Sequence, residues 1–243
     1  MIKKIKIFDI EIDNLNEQEL LDSICSIYKS NEKSLISNVN VHALNLAYKD
    51  IEFKEILNDS KIVFNDGYGV KYLSNLILKT DLKAAMTPPS WMYKLYDILP
   101  RDTKIFLLGD EDDIIKKYHT MVKNKHKNID FVGYHNGFFN DSQSLIQKIN
   151  DLESEIIIVG MGMPYQEKWI YNNLKAINCK IFIPVGAFFR WEIGVQKRPP
   201  EFVSKMGLEW FYRFILEPKR LFKRYIIGNP LFLYRLIKYK LMS

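Results

Sequence analysis

Asp66 is the best single candidate for a catalytic residue in the chain. It follows Lys61–Phe64, a short apolar run typical of a buried strand, and it precedes Gly67, where the missing side chain lets a ligand approach the backbone. A carboxylate in this position can act as a general base or can cap the next helix. Because the other polar groups at the predicted strand ends are amides and basic residues, we expect Asp66 to be catalytic, with Gly67 beside the substrate.

Two asparagines follow another predicted strand, Leu35–Asn38, in a similar way. Asn38 and Asn40 lie at its C-terminal end, where open α/β sheets hold their ligands. An asparagine at such a junction either caps a helix or hydrogen-bonds a sugar or base, and the pattern favours neither function. Both residues are candidate substrate contacts, whereas packing or capping explains the nearby His42 better than catalysis does.

The segment Ile156–Trp169 predicts a strand buried on both faces that turns directly into a helix. Backbone N–H groups and the positive end of the helix dipole meet at such a turn, and both attract phosphate. The glycine spacing matches neither a dinucleotide fingerprint nor a P-loop, so a tight turn without a ligand is an equally good interpretation. Glycines also follow two other predicted strands, Lys104–Leu108 and Lys180–Ile183. The candidate substrate contacts at these turns are Gly109, Gly160, Gly162, Pro164, Gln166, Glu167 and Gly186.

Asp110 and Asp112 follow Gly109 at the start of a predicted helix. An Asp-x-Asp pair holds a metal ion in many sugar-nucleotide enzymes. Acidic residues are far more common in first turns for another reason, since they stabilise the helix dipole. We therefore expect neither a metal site here nor a cofactor elsewhere in the chain.

The candidate residues need a framework that brings strand ends together. Short apolar runs alternate with segments of helical periodicity along the first 195 residues. This alternation predicts an α/β fold: a Rossmann-like, mostly parallel sheet with helices on both faces. Ile5–Phe8 is predicted to be a first strand and not part of a signal peptide. No apolar run reaches the roughly 20 residues that a membrane-spanning helix needs.

The chain carries a formal charge of +6, and the basic excess lies at its C-terminal end. Residues 196–243 contain eleven basic and three acidic residues. A predicted helix, Glu201–Leu216, ends before Pro218, and Lys219–Ile227 and Leu231–Leu241 also have helical character. We therefore predict an α/β catalytic core over residues 1–195 and a basic amphipathic helical appendage over 196–243. The charge of the appendage indicates an anionic partner.

Arg213, Arg220 and Arg224 are spaced by seven and four residues, so they would share one helix face if the helix continued past Pro218. Such a row is either a solvated surface or a clamp for phosphate, which guanidinium groups bind in bidentate fashion. The last segment mixes basic and apolar side chains, as helices on anionic lipid do. A basic tail also occurs in nucleic-acid-binding proteins. Here it forms one appendage beside a predicted small-molecule crevice, so we expect no nucleic acid partner.

Several stretches carry a resemblance to a known family. Those in the predicted core are Asn38-Val39-Asn40, Asp66-Gly67-Tyr68-Gly69-Val70 and Gly160-Met161-Gly162-Met163-Pro164-Tyr165-Gln166-Glu167-Lys168-Trp169. Those in the tail are Lys197-Arg198-Pro199-Pro200, Gly207-Leu208-Glu209-Trp210-Phe211-Tyr212-Arg213, Glu217-Pro218-Lys219-Arg220-Leu221 and Arg224-Tyr225-Ile226-Ile227-Gly228-Asn229-Pro230. In order and spacing the chain resembles the WecG/TagA/CpsF glycosyltransferases (glycosyltransferase family 26) along nearly its whole length.

The resemblance implies an inverting, metal-independent transferase of bacterial surface polysaccharide or teichoic acid biosynthesis. It would move a hexosyl unit, of the N-acetylmannosamine type or a related hexose, from a UDP-sugar to a sugar linked to polyprenyl diphosphate. Asp66 matches the family's proposed general base, and Asn40 and Gln166 match pocket positions. The tail arginines Arg213, Arg220 and Arg224 would close over the site and meet the diphosphate, and Arg198 is a further candidate substrate contact. The tail would also hold this cytoplasmic protein at the inner face of the cell membrane, and its closure would compete with self-association of the core.

The chain departs from the family pattern at three places. Lys83, a candidate substrate contact, lies in a segment where many relatives have an arginine followed by a glycine. Asn38 stands where many have threonine, and the loop Phe188-Phe189-Arg190-Trp191 is bulkier and more basic than expected. The resemblance therefore leaves the sugar unspecified. The alternative function is a non-catalytic sugar-nucleotide-binding module, recruited to the membrane and able to bind UDP without turnover.

Overall fold

The structure is a computed structural model that describes residues 2–30, 32–197, 199–200, 203 and 206–242. Its strands form two sheets within these residues. The strands of the smaller sheet are β1 (Lys4–Ile7) and β2 (Ile10–Asp13). Those of the larger, six-stranded sheet are β3 (Ser34–Val39), β4 (Ile62–Asn65), β5 (Thr103–Gly109), β6 (Ile129–His135), β7 (Ile156–Gly160) and β8 (Ile181–Pro184).

Helices alternate with the strands of the larger sheet. From the N-terminus to the last strand they are α1 (Glu17–Ser30), α2 (Val41–Ala47), α3 (Ile51–Asp59), α4 (Tyr68–Ile77), α5 (Pro88–Ile98), α6 (Asp112–Lys125), α7 (Ser142–Asp151) and α8 (Tyr165–Asn173). After the last strand they are α9 (Phe188–Glu192), α10 (Glu209–Leu216), α11 (Pro218–Phe222), a π-helical turn (Lys223–Ile227) and α12 (Gly228–Met242).

The larger sheet has the strand order β4-β3-β8-β7-β5-β6. The pairs β3–β8, β8–β7, β7–β5 and β5–β6 are parallel. Ile156–Val159 of β7 are completely buried, because β7 has a strand on each side and helices cover parallel sheets. The predicted α/β fold with a mostly parallel sheet is therefore confirmed.

The N-terminal strand does not belong to the larger sheet. β1 pairs with β2 in an antiparallel hairpin in which Ile7 lies opposite Ile10. The two turn residues, Phe8 and Asp9, both have positive φ, 53° and 64°. This backbone matches the right-handed twist of the strands that it joins. The prediction of a first strand at Ile5–Phe8 was thus displaced by one residue, and β2 was not predicted.

The tail differs from the predicted helices. Gly207 has a φ of 74°, so a helix cannot pass through it, and α10 begins only at Glu209. The prediction of one helix over Glu201–Leu216 is wrong for this reason. Pro218 does not end the helical region but starts α11, since its fixed φ suits a first helical position.

The chain divides into two compact units. The first unit comprises Met1–Glu17, Asn38–Thr87 and Arg198–Ser243, and the second comprises Gln18–Ser37 and Pro88–Lys197. The division into a core and an appendage at residue 196 stays a prediction. None of the helices in the described part of the chain combines the length and the apolar character needed to cross a bilayer.

Candidate active site

In the first unit, the end of β4 brings Asp66 next to the end of β3. The backbone N–H of Asp66 donates to the Val39 carbonyl at 2.7 Å. The Asp66 Oδ2 atom lies 3.4 Å from Asn40 Nδ2, which donates to it. Two predicted site residues are thus in contact, and strand pairing sets their spacing.

Asn40 has one of the two functions that the sequence left open, because it caps a helix. Its Oδ1 accepts from the backbone N–H groups of His42 and Ala43, at 3.0 and 3.1 Å, and so caps α2. Its Nδ2 remains available for Asp66. Asn38, by contrast, is 3 % exposed within β3.

Asn65 holds the backbone around Asp66. Its Nδ2 donates to the carbonyls of Gly67 and Ala84, at 3.1 and 2.8 Å. Gly67 has a φ of 144°, which only glycine adopts readily, and it precedes α4. The Lys83 side chain is exposed, while its backbone N–H donates to Asn14 Oδ1 at 2.8 Å. Asn65 was not among the predicted site residues, although an asparagine directly before the predicted base is a visible signal in the sequence.

The surroundings of Asp66 suit a general base. Burial, with a smaller contribution from the nearby Glu209 carboxylate, raises the pKa of Asp66 to about 7. The Asn40 hydrogen bond, Arg224 and Arg213 act in the opposite direction on this pKa. A carboxylate with a pKa near neutrality is basic enough to accept a proton from the acceptor. At physiological pH it then returns mostly to its deprotonated form, ready for the next cycle. Glu209 belongs to one of the stretches that carry the family resemblance, but it was not among the predicted site residues.

His42 shares this environment. Burial lowers the pKa of His42 to about 4, and the positive charge of Arg224 contributes to the shift. The imidazole is therefore neutral at physiological pH. His42 lies in the first turn of α2, directly after the Asn40 cap.

The three predicted tail arginines differ in exposure. Arg224 is partly buried, its Nε has no hydrogen-bond partner among the described residues, and burial lowers its pKa. Arg213 and Arg220 are close enough to lower the same pKa. Arg220 is exposed and forms an ion pair with Glu217. The helix is interrupted at Glu217, yet the three guanidinium groups remain within electrostatic range. Arg198, the fourth predicted contact, lies outside the described residues.

In the second unit, Gln166 links two loops that follow strands. Its Oε1 accepts from the backbone N–H groups of Met161, Gly162 and Gly186, at 3.3, 3.1 and 3.0 Å. Gln166 and Glu167 are both completely buried. These three N–H groups, which the sequence analysis considered for phosphate binding, are therefore directed at a side chain of the protein.

Glu167 fixes the orientation of the Gln166 amide. Its Oε1 accepts from Gln166 Nε2 at 2.8 Å, and its Oε2 has no hydrogen-bond partner among the described residues. Burial raises the pKa of Glu167 to about 7. Pro164, which follows a cis peptide bond, is the residue before α8.

Two of the glycines are required by close packing. A Cβ atom at Gly109 would lie 2.3 Å from the Gly160 carbonyl oxygen, and one at Gly160 would lie 2.7 Å from the Phe189 ring. Gly162 and Gly186, in contrast, have open space where a Cβ atom would be, and both have positive φ. Of the predicted glycine contacts in this unit, these two leave room for a ligand beside the backbone.

The acidic pair after β5 has protein partners. Asp110 forms a bidentate ion pair with Arg190, with Nη2–Oδ1 and Nε–Oδ2 distances of 2.7 and 3.0 Å. Asp112 accepts from Asn136 Nδ2 at 2.8 Å. Within the residues that the structure describes, no group of three or more histidine, cysteine or acidic side chains is placed to hold a metal ion. The ion pair with Asp110 explains why the aromatic loop contains a basic residue, Arg190.

Comparison with known proteins identifies the relatives of the chain. A 188-residue stretch is 30 % identical to the N-acetylglucosaminyldiphosphoundecaprenol N-acetyl-beta-D-mannosaminyltransferase of Bacillus subtilis (strain 168), covering 77 % of this chain and 73 % of the relative. The Staphylococcus aureus (strain NCTC 8325 / PS 47) protein of the same name is 25 % identical over 240 residues, 98 % of this chain and 93 % of the relative.

The match extends over the catalytic candidates and the tail alike. The model of the glycosyl transferase WecG/TagA/CpsF family matches residues 5–243. This range includes Asp66, the glycine loops and the arginines. The chain therefore belongs to the glycosyl transferase WecG/TagA/CpsF family, and it is a glycosyltransferase.

Proposed function

We propose that the protein transfers an N-acetylmannosaminyl unit from a UDP-sugar to N-acetylglucosamine linked to polyprenyl diphosphate, in the synthesis of a bacterial surface polysaccharide or teichoic acid. The names of the two relatives supply the sugar and the acceptor. The observation that carries the proposal is the site around Asp66, where a buried carboxylate with a pKa of about 7 lies within electrostatic range of two arginines. The site thus combines a base for the acceptor proton with positive charge for the diphosphate.

The proposed reaction is a single in-line displacement that inverts the anomeric centre. Asp66 removes the proton from the acceptor hydroxyl, and the oxygen attacks the anomeric carbon of the donor from the face opposite UDP. The bond between that carbon and the UDP oxygen breaks, and UDP leaves with the electron pair. Asn40 holds the Asp66 carboxylate through its 3.4 Å hydrogen bond, so the base has a fixed orientation.

We assign the neutralisation of the diphosphate to arginine and not to a metal ion. Arg224 and Arg213 lie within electrostatic range of Asp66, and the Nε of Arg224 has no partner among the described residues. Fixed positive groups stabilise a leaving diphosphate without moving during the reaction. Arg220 would exchange Glu217 for a phosphate oxygen, and Arg198 would add a further charge.

The remaining candidates have supporting functions in this proposal. In the second unit Gly162 and Gly186 leave space for a ligand beside the backbone, whereas Gln166 and Glu167 hold their loops in shape. Gly160 ends β7 and Pro164 lies in the loop that follows it, while Gly109 ends the neighbouring strand β5. In the first unit Gly67 gives the substrate access to Asp66, with Lys83 as an outer contact, whereas Asn38 is buried within β3.

We also propose that the protein works at the cytoplasmic face of the membrane, attached through its tail. Along the last helices of the tail, several apolar side chains are exposed among basic residues. They include Ile215, Phe222, Ile226, Ile227, Leu233, Ile237, Leu241 and Met242. Such a surface suits anionic lipid, where the acceptor is embedded. Self-association would compete with closure of the tail over the site.

The test is UDP release from a panel of UDP-hexoses with a short-chain polyprenyl-diphosphate-N-acetylglucosamine acceptor, with and without EDTA. We expect release with UDP-N-acetylmannosamine, only when acceptor is present, and at the same rate in EDTA. Release that EDTA abolishes would contradict the assignment of the charge to arginine. Tight UDP binding without release from any donor would favour the non-catalytic binding module.

A further inference from the structure

The last helix, α12, is fastened to α2 by two interlocking polar residues. Arg235 is 5 % exposed, and its Nη1 donates to the backbone carbonyl and to Oδ1 of Asn45, at 3.0 and 2.8 Å. Asn45 Nδ2 in turn donates to the Gly228 carbonyl at 2.7 Å. Asn45 therefore bonds the first residue of α12 and also a residue two turns later, which fixes both the position and the rotation of this helix.

Aromatic packing reinforces this attachment from the hairpin turn. The ring of Phe8 makes edge-to-face contacts with Tyr48, Phe232 and Tyr239, at centroid distances of 5.3, 5.8 and 5.6 Å. The Arg235 guanidinium lies 4.2 Å from the centre of the Tyr48 ring. The positive φ of Phe8 directs this ring into the cluster, where it is 2 % exposed.

The segments directly before these two helices belong to the candidate site. α2 begins at the Asn40 cap, which contacts Asp66, and Asn45 follows one turn later. Arg224 lies in the π-helical turn that leads directly into Gly228. Asp66 is thus connected to Asn45 through Asn40 and α2. Asn45 in turn is hydrogen-bonded to Gly228, which directly follows the turn that holds Arg224.

We infer that Asn45 and Arg235 are positioning residues, which hold Arg224 beside Asp66 by locking α12 onto α2. The catalytic consequence rests on the proposed function, but the structural part does not. Neither residue contacts Asp66, so each acts through Arg224. Loss of either residue should release Arg224 from His42 and Asp66 together.

His42 reports this arrangement without any assay of activity. Burial and Arg224 both hold its pKa at about 4, so displacement of Arg224 should raise this pKa toward its ordinary value of 6.5. NMR titration of the histidine rings would measure the shift in Arg235→Met and in the milder Asn45→Ala. His119 provides an internal control, because it lies in the second unit. Arg101→Met is the matched control variant, since Arg101 is an exposed arginine of that unit.

We expect the pKa of His42 to rise in both variants, with His119 unchanged, and Arg235→Lys to restore part of the difference. We also expect kcat to fall on the order of tenfold or more, with a smaller change in KM, as misplaced catalytic groups cause. An unchanged His42 titration in both folded variants would overturn the inference. A raised His42 pKa with unchanged kcat would overturn the positioning function. If no donor is turned over by the wild type, the His42 titration still decides the structural part.

Discussion

Glu167 Oε1 accepts a hydrogen bond from Gln166 Nε2 at 2.8 Å, and this bond decides which way the Gln166 amide points. With the NH2 group directed at Glu167, the carbonyl oxygen faces the N–H groups of Met161, Gly162 and Gly186. Two adjacent residues of α8 thus shape two loops of the second unit. The sequence analysis expected both side chains to face a ligand.

Replacing Gln166 should lower stability before it lowers affinity. Gln166→Met keeps the volume but removes the shared acceptor, so we expect the free energy of unfolding to fall by about 1–3 kcal/mol. Urea denaturation would measure it. Gln147→Met, at an exposed glutamine of α7, should stay within about 0.5 kcal/mol of wild type. A Gln166→Met protein of full stability that has lost UDP binding would show that Gln166 contacts the substrate directly.

Glu167 should make stability depend on pH. Its pKa is about 7 in the folded protein against an ordinary value of 4.5, so the folded state retains a proton that the unfolded state loses. The contribution of Glu167 is complete below pH 4.5 and is lost as the pH rises toward 7. Glu167→Gln keeps an uncharged acceptor at every pH. We expect its stability relative to wild type to increase by roughly 2–4 kcal/mol between pH 4.5 and 7. A difference that stays constant over this range would contradict the assignment.

The sheet, and the position of Asp66 at the end of one of its strands, were predictable from local pattern. Ile156–Val159 are β-branched and continuous, and a run of this kind is buried in a parallel sheet whatever surrounds it. Asp66 was identified because it directly follows such a strand. The confirmed parts of the fold are those in which a few consecutive residues determine the outcome.

The parts that the sequence did not predict depend on distant residues. The hairpin turn uses Phe8 and Asp9 in place of the usual Asn-Gly, and Phe8 is held there by aromatic rings from α12. Gln166 faces inward because the Gly186 loop offers an N–H from 20 residues away. Glu209 lies close to Asp66 only after the tail has folded. Each of these contacts joins segments far apart in the chain, which periodicity cannot detect.

The tail arginines should contribute unequally to catalysis. We expect Arg224→Gln and Arg213→Gln to lower kcat/KM by on the order of 100-fold, and Arg220→Gln by less, because Arg220 is exposed and paired with Glu217. In Arg224→Gln the acid limb of the pH profile should also move to higher pH, since Arg224 lowers the pKa of Asp66. Lys223→Gln removes an exposed charge next to Arg224 and serves as the control. Equal losses in all four variants would indicate a general charge effect.

Membrane attachment should depend on apolar side chains of α12. Ile237 and Leu241 are 45 % and 82 % exposed and lie one turn apart. We expect the double change to glutamate to weaken sedimentation with phosphatidylglycerol vesicles by on the order of tenfold or more, while activity on a detergent-soluble acceptor is retained. Ile51→Glu, at an isoleucine of α3 that is 71 % exposed, is the matched control. Equal vesicle binding by all proteins would exclude α12 as the attachment surface.

The function of Asp66 as the general base is tested most directly by the pH dependence of kcat/KM in wild type and in Asp66→Asn. The rate is measured as acceptor-dependent UDP release. Only the deprotonated carboxylate can take the acceptor proton, so wild-type activity should fall below a pKa of about 7. We expect Asp66→Asn to fold normally and to lose activity by roughly 100- to 10,000-fold. The acid limb should disappear from what activity remains. An Asp66→Asn protein with near-normal turnover and the same acid limb would show that another group is the base.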